Sequence, residues 1–277
     1  MATCRQTDGS VPAIDIERVT KRFTGGEHAG GPFWRRKRKP FVAVDGVTLR
    51  VEPGEVFGLL GANGSGKSTL IRLIATLLFP DEGAVRVFGH DVVKERQTAR
   101  RLLNRVSVEA SFFKKLSAVE NLLYAGRLYN LSGREARART FELLGRLGLT
   151  KEKIRSPLEQ MSRGMQQKVA IARALMTSPR ILLLDEPTTG LDPKSKRDVQ
   201  QLVAGMRADD GVTVLLTTHD MQEAEKLCDR VAILDGGRII AAGTAAELRA
   251  GLKADGASLE DVFLELVGRE WEEEEEA

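Results

Sequence analysis

Val56-Phe-Gly-Leu-Leu-Gly-Ala-Asn-Gly-Ser-Gly-Lys-Ser-Thr69 joins a short apolar run, a glycine-rich bend and the opening of a helix. Five mostly apolar residues bounded by glycine predict a buried parallel strand, and helical spacing then runs from Ser68 to Leu78. The bend fits G-x-x-x-x-G-K-[ST]. Gly61, Gly64 and Gly66 let successive backbone N–H groups converge on an anion, with Asn63 and Ser65 between them, and the helix N-terminus adds partial positive charge. In such a loop Lys67 reaches the β- and γ-phosphates of a nucleotide, Ser68 ligates Mg²⁺ and Thr69 lies near the α-phosphate. An accidental match in a chain this long has odds of about one in a hundred, and the strand–helix setting lowers them.

Outward from this loop the chain alternates. Ile181-Leu-Leu-Leu-Asp-Glu186 is a second apolar strand that delivers carboxylates at its C-terminal end, where open α/β sheets bind ligands. Asp185 is suited to hold Mg²⁺ through water, and Glu186 to orient and polarise an attacking water. Alone, a strand ending in Asp-Glu is commonplace; the phosphate loop gives it meaning. Val212 to Thr217 is a further strand, and Val231 to Ala241 a hairpin turning on Asp235-Gly236-Gly237. On the N-terminal side, Ile14 and Ile16 alternate with acidic residues, and Phe41 to Val51 keeps period two. The fold class expected is α/β: a P-loop NTPase core with an N-terminal antiparallel β subdomain and an inserted α-helical subdomain at about 93–176. One domain spans 12–269. It includes a Gly-rich basic loop at 24–40 and a closing amphipathic helix bearing Leu259, Val262, Phe263, Leu266 and Val267. Residues 270–277 form an acidic tail.

Apolar residues are 42%, charged residues 29% and the net charge +3, values of an ordinary globular chain with no general pull toward nucleic acid. The charge is unevenly spread: Arg35 to Lys39 is a basic run beside Phe33 and Trp34, and Glu272 to Glu276 an acidic one. Two cysteines, Cys4 and Cys228, provide neither a disulfide framework nor zinc spacing. The first ten residues lack the apolar stretch of a signal peptide. No apolar run is long enough to cross a bilayer, so membrane work is expected to fall to a partner.

Met161-Ser-Arg-Gly-Met-Gln-Gln-Lys-Val-Ala-Ile-Ala-Arg-Ala-Leu175 resembles the signature of ATP-binding cassette (ABC) proteins, usually LSGGQ or LSGGM followed by Q-R and A-R-A-L. Met161 stands where the family has Leu, and Arg163 where it has the first Gly. The resemblance implies that Ser162 and Gly164 bind the γ-phosphate held by an opposite subunit. Gly190-Leu-Asp192-Pro looks like the loop that links two sites across such a dimer. His219, in TTHD, looks like the switch histidine that contacts the γ-phosphate, although a lone His after a strand is ordinarily a cap or core residue. Phe23, in TKRF, matches the aromatic that stacks on adenine, and could equally be core. His28 and His90 have no such setting and read as structural or surface residues.

The likeness covers about residues 12–269. The ending Leu259-Glu-Asp-Val-Phe-Leu-Glu-Leu-Val-Gly resembles that of exporter ATPases whose membrane subunits are separate polypeptides. It implies ATP and Mg²⁺ as cofactors, a homodimer or a heterodimer with a similar ATPase, a separate transmembrane permease, no nucleic-acid partner, and a peripheral place on the cytoplasmic face of the membrane. Competing readings are an importer subunit, or a soluble ABC ATPase acting on ribosome or nucleic acid. A second cassette or a long coiled coil would mark the soluble types, and neither is in this sequence. The chain departs from the family where a strand should end in Gln: Arg105-Val-Ser-Val-Glu109 places Val108 in that position, with Glu109 one residue beyond.

Overall fold

The structure, a computed structural model, describes residues 11–24, 40–107, 112–251 and 258–275. Ile14–Thr24 (β1) and Pro40–Val51 (β2) form an antiparallel pair in which Ile14 faces Val51 and Thr24 faces Pro40. The ends of the expected loop 24–40 are therefore strand residues. Val56–Leu60 (β3) is wholly buried and feeds Lys67–Ile74 (α1). That helix stops a turn short of the expected Leu78. Thr76 turns left-handed at φ 60°, and the N–H groups of Leu77 and Leu78 fold back on the Arg72 carbonyl.

Glu82–Val87 (β4) and His90–Asp91 (β5) extend the first sheet to the order β2-β1-β4-β5. On β5, His90 Nδ1 lies 2.9 Å from Glu95 Oε1, a surface contact. Arg96–Leu102 (α2) then gives way to Leu103–Val106 (β6), so the stretch 93–176 is not helical throughout. Four residues are too few to show a period, so the family resemblance, and not the local pattern, points to a strand here. The Asn104 amide ties β6 down by donating to the Ala174 carbonyl at 2.5 Å and to Thr177 Oγ1 at 2.8 Å.

The helical lobe follows: Ala118–Leu128 (α3), Gly133–Arg146 (α4), Lys151–Arg155 (α5) and Arg163–Leu175 (α6). Ser117 with Glu120, and Ser132 with Glu135, form capping boxes that fix the starts of α3 and α4. The lobe does not carry a separate core. Leu122, Leu144, Leu158 and Ile171 pack with Leu182 and Leu184 of Ile181–Asp185 (β7).

Pro193–Asp210 (α7), Thr213–Thr218 (β8), Met221–Leu227 (α8), Arg230–Asp235 (β9), Arg238–Gly243 (β10), Ala245–Ala250 (α9) and Leu259–Glu275 (α10) complete the chain. The second sheet runs β10-β9-β3-β8-β7-β6, parallel except for the β9–β10 hairpin. Leu259 and Val262 of α10 cover Leu60 and Ile233. Because α10 runs to Glu275, the acidic run expected as a tail is largely helix. The basic run Arg35 to Lys39, Phe33, Trp34, Cys4, His28, Val108 and Glu109 lie outside the described residues. No helix among the described residues is long and apolar enough to cross a membrane.

Candidate functional site

The C-terminal ends of β3, β7 and β8 meet, and each delivers part of one site. After β3 the chain bends through the glycine-rich loop. A Cβ on Gly66, whose φ is 105°, would come within 2.3 Å of the Ala43 carbonyl oxygen, and one on Gly61 within 2.2 Å of the Leu234 carbonyl oxygen. Any side chain there would push the loop off the two strands that support it. The Gly237 N–H also donates to the Ser65 carbonyl at 3.1 Å. The β9–β10 hairpin turn thus braces the loop, a use its Gly-Gly sequence did not disclose.

Lys67 opens α1 and is buried. Its ammonium donates to the Gly61 and Ala62 carbonyls at 2.7 and 2.8 Å, arching under the loop. Burial holds its pKa below the usual lysine range, against the opposing pull of Glu186 and Asp185. Ser68 Oγ donates to Asp185 Oδ1 at 3.2 Å, and the same oxygen accepts from Thr217 Oγ1 at 3.0 Å. The register of β7 against β8 sets Asp185 directly opposite Thr217. Asn63 and Gly64 are exposed on the loop and Thr69 is half-buried beside it, while the buried Ser65 hydroxyl has no hydrogen-bond partner.

Glu186 leaves the sheet with a left-handed φ of 47°. Its N–H is held by the Thr217 carbonyl at 3.1 Å and the Thr217 hydroxyl at 3.0 Å. Its Oε2 accepts from Thr189 Oγ1 at 3.0 Å and lies 3.5 Å from His219 Nδ1. A non-glycine residue held in this conformation is a constraint the surroundings must enforce. Here Thr217 enforces it and aims the carboxylate at the half-exposed His219. Lys67, Ser68, Asp185, Glu186 and His219 therefore form one cluster.

The remaining predicted residues lie elsewhere. Ser162 caps α6, its hydroxyl accepting from Met165 N–H at 3.3 Å. Gly164 packs on Ser195 of α7, and the Arg163 guanidinium lies against Gly190, which has φ 70°. Asp192 Oδ1 accepts from the N–H groups of Lys194 and Ser195 at 3.1 and 3.0 Å, capping α7. Hydrogen bonding from Ser195 holds its carboxyl below the usual range. The N-termini of α6 and α7 thus form a second cluster of Ser162, Arg163, Gly164, Gly190 and Asp192. Phe23 sits apart at the end of β1, opposite Phe41, with the Lys21 ammonium 5.7 Å from its ring centre.

Four contributors were not singled out from sequence: Thr217, Thr189, Asn104 and Arg105. The signal available for Thr217 is a Thr-Thr pair closing a fully buried strand, since buried hydroxyls need partners.

The donor set fits a nucleotide with a hard cation. Ser68 and Asp185 offer oxygens that suit Mg²⁺ but can fill only part of an octahedron, the pattern of an ion shared with phosphates. The backbone cradle, the buried ammonium and the unpartnered Ser65 hydroxyl suit the phosphates themselves.

A family model described as ABC transporter matches residues 44–189. A daunorubicin/doxorubicin resistance ATP-binding protein of Streptomyces peucetius is 48% identical over 210 residues, which are 76% of this chain and 63% of that relative's own length. A methionine import ATP-binding protein of Caulobacter vibrioides is 43% identical over 239 residues, 85% of this chain and 68% of the relative. Among solved structures, the dimeric ATP-binding cassette MJ0796, in a post-hydrolysis state with ADP and Pi, superposes with a TM-score of 0.72. It is 31% identical and covers 83% of this chain and 98% of that one.

Proposed function

The chain belongs to the ABC transporter family, whose cassettes bind and hydrolyse ATP, and we propose that it does so with Mg²⁺, as one half of a head-to-tail dimer that drives export through a separate membrane subunit. The observation that carries the proposal is the convergence of Lys67 and Ser68 after β3, Asp185 and Glu186 at the end of β7, and His219 after β8. Glu186 positions the attacking water and accepts its proton, and His219, 3.5 Å away, contacts the γ-phosphate. Lys67 trades its two backbone carbonyls for phosphate oxygens. Bound Mg²⁺ would neutralise phosphate charge, held by Ser68 and Asp185. Ser162 and Gly164 complete the partner subunit's site, Asp192 lies between the two sites, and Phe23 stacks on adenine. One cassette spans 12–269.

The membrane partner has a place to dock. Phe113, Tyr124, Leu128 and Tyr129 are exposed and line a cavity of about 450 Å³ beside Asn104 and Arg105. Phe113 and Tyr124 pack edge to face at 5.0 Å. Exposed aromatics around a groove suit an amphipathic helix. With that partner, the chain would lie at the cytoplasmic face of the membrane.

Export is favoured by the resistance protein at 48% identity; the methionine import relative, at 43%, supports an import subunit as the second reading. The test is phosphate release by the purified chain, alone and co-purified with its membrane subunit in vesicles. Mg²⁺-dependent release that the partner stimulates is expected, and no release in either state overturns the proposal. The direction of substrate movement in inside-out vesicles separates export from import.

A further inference from the structure

Arg105, among the described residues, is a charged group at this site that has no part in the nucleotide chemistry so far. It lies on edge strand β6 opposite Leu183 of β7, so its side chain shares a sheet face with Leu183 and Asp185. Its guanidinium stands 3.4 Å from Asp185 Oδ2, and the two side chains are only 19% and 4% exposed. Arg105 Nε is buried with no hydrogen-bond partner. A guanidinium stays protonated, so one this enclosed must be offset by a nearby carboxylate. Arg72 adds like charge nearby, which makes that carboxylate more necessary. The two oxygens of Asp185 are thus divided: Oδ1 accepts from the Ser68 and Thr217 hydroxyls, and Oδ2 faces Arg105.

We propose that Arg105 is a built-in counter-ion of Asp185 that a divalent metal must displace, so that metal and guanidinium compete for one carboxylate. This rests on the reading of Asp185 as the metal carboxylate. The competition gives Arg105 effects of opposite sign. Without metal its positive charge favours bound phosphates; with metal it opposes the second cation. The nucleotide site is therefore set to demand more Mg²⁺ than its oxygen donors alone would require.

Trinitrophenyl-ATP fluorescence with the full-length chain tests this without measuring turnover. In Arg105→Gln, the Mg²⁺ concentration that gives half of the metal-dependent binding signal should fall about tenfold, the size of one partly shielded charge pair. Affinity for the same probe in EDTA should fall severalfold. Arg105→Lys, which keeps the charge, should return both values toward those of the native protein. An unchanged or raised Mg²⁺ half-point in Arg105→Gln overturns the proposal. So does a parallel loss of both affinities, which would mark a purely structural role. Asp185→Asn provides the separation: loss of Mg²⁺ dependence there upholds the reading of the carboxylate whatever Arg105 does. A native protein whose probe binding ignores Mg²⁺ would remove that reading and the competition together.

Discussion

Ser195 fills the space that a side chain on Gly164 would need: a Cβ built there comes within 2.2 Å of Ser195 Oγ and 2.3 Å of its Cβ. The start of α6, which carries Ser162, is thereby clamped against the start of α7, which Asp192 caps. Gly164→Ala is expected to cost about 1–3 kcal/mol, the usual penalty for overpacking, and to lower ATP hydrolysis. Ser195→Gly in the same chain removes the obstruction and should recover much of both. Thermal melts of the single and double variants measure the coupling. An unshifted melting temperature in Gly164→Ala would refute the clamp.

Replacing the carboxylate proposed to handle water separates binding from chemistry. Glu186→Gln should still bind ATP and accumulate as an ATP-bound dimer on size exclusion. Phosphate release should drop by about two orders of magnitude or more. Turnover near the native rate would remove Glu186 from the reaction.

A lysine held below its usual pKa by burial binds fewer protons than it does in the unfolded chain. Folding stability therefore gains from Lys67 as pH rises through the window between that lowered value and the ordinary lysine value near 10. Phosphate restores the missing negative charge, so ATP binding in this alkaline window should draw a proton onto Lys67. Calorimetry in two buffers of different ionisation heat should show that uptake. Lys67→Ala should abolish it and weaken ATP binding about tenfold or more. Equal proton uptake by the variant would assign it to another group.

Cys228 turns its sulfur inward over Gly58, 2.8 Å from where a Cβ on that glycine would lie. Burial pushes its thiol well above the normal range, and Glu223, Asp229 and Glu55 further oppose a thiolate. Iodoacetamide at pH 8 should alkylate Cys228 at least about a hundredfold more slowly in the folded protein than in denaturant. The peptide carrying this residue, followed by mass spectrometry, reports the rate. Comparable rates in both states would show the sulfur to be accessible.

The parts of the site that could be read from sequence are those fixed by the local chain. Gly61, Gly66 and Lys67 are legible because a strand, a bend and a helix start must follow each other at set spacing. Asp185 and Glu186 are legible because an apolar run of four residues announces a strand end. Thr217 and Arg105 are not, because their roles depend on register: Asp185 meets Thr217 only once β7 lies beside β8, and Arg105 only once β6 joins the edge. Helix and strand boundaries shifted for similar reasons. Thr76 ended α1 by a backbone turn that its side chain does not signal, and β6 is too short for a period to appear.

The anchoring of β6 by Asn104 has a mechanical consequence. Helix α6, thirteen residues long, is a rod of about 20 Å. Ser162 sits at one end of it, and the other end is bolted through Ala174 and Thr177 to Asn104. The next residue, Arg105, is fastened to Asp185. A force applied where a second subunit would press on Ser162 therefore arrives, through one stiff beam and two adjacent joints, at the carboxylate on the far side of the sheet. The same contacts run in both directions, so tension at Asp185 would be felt at the tip of the rod.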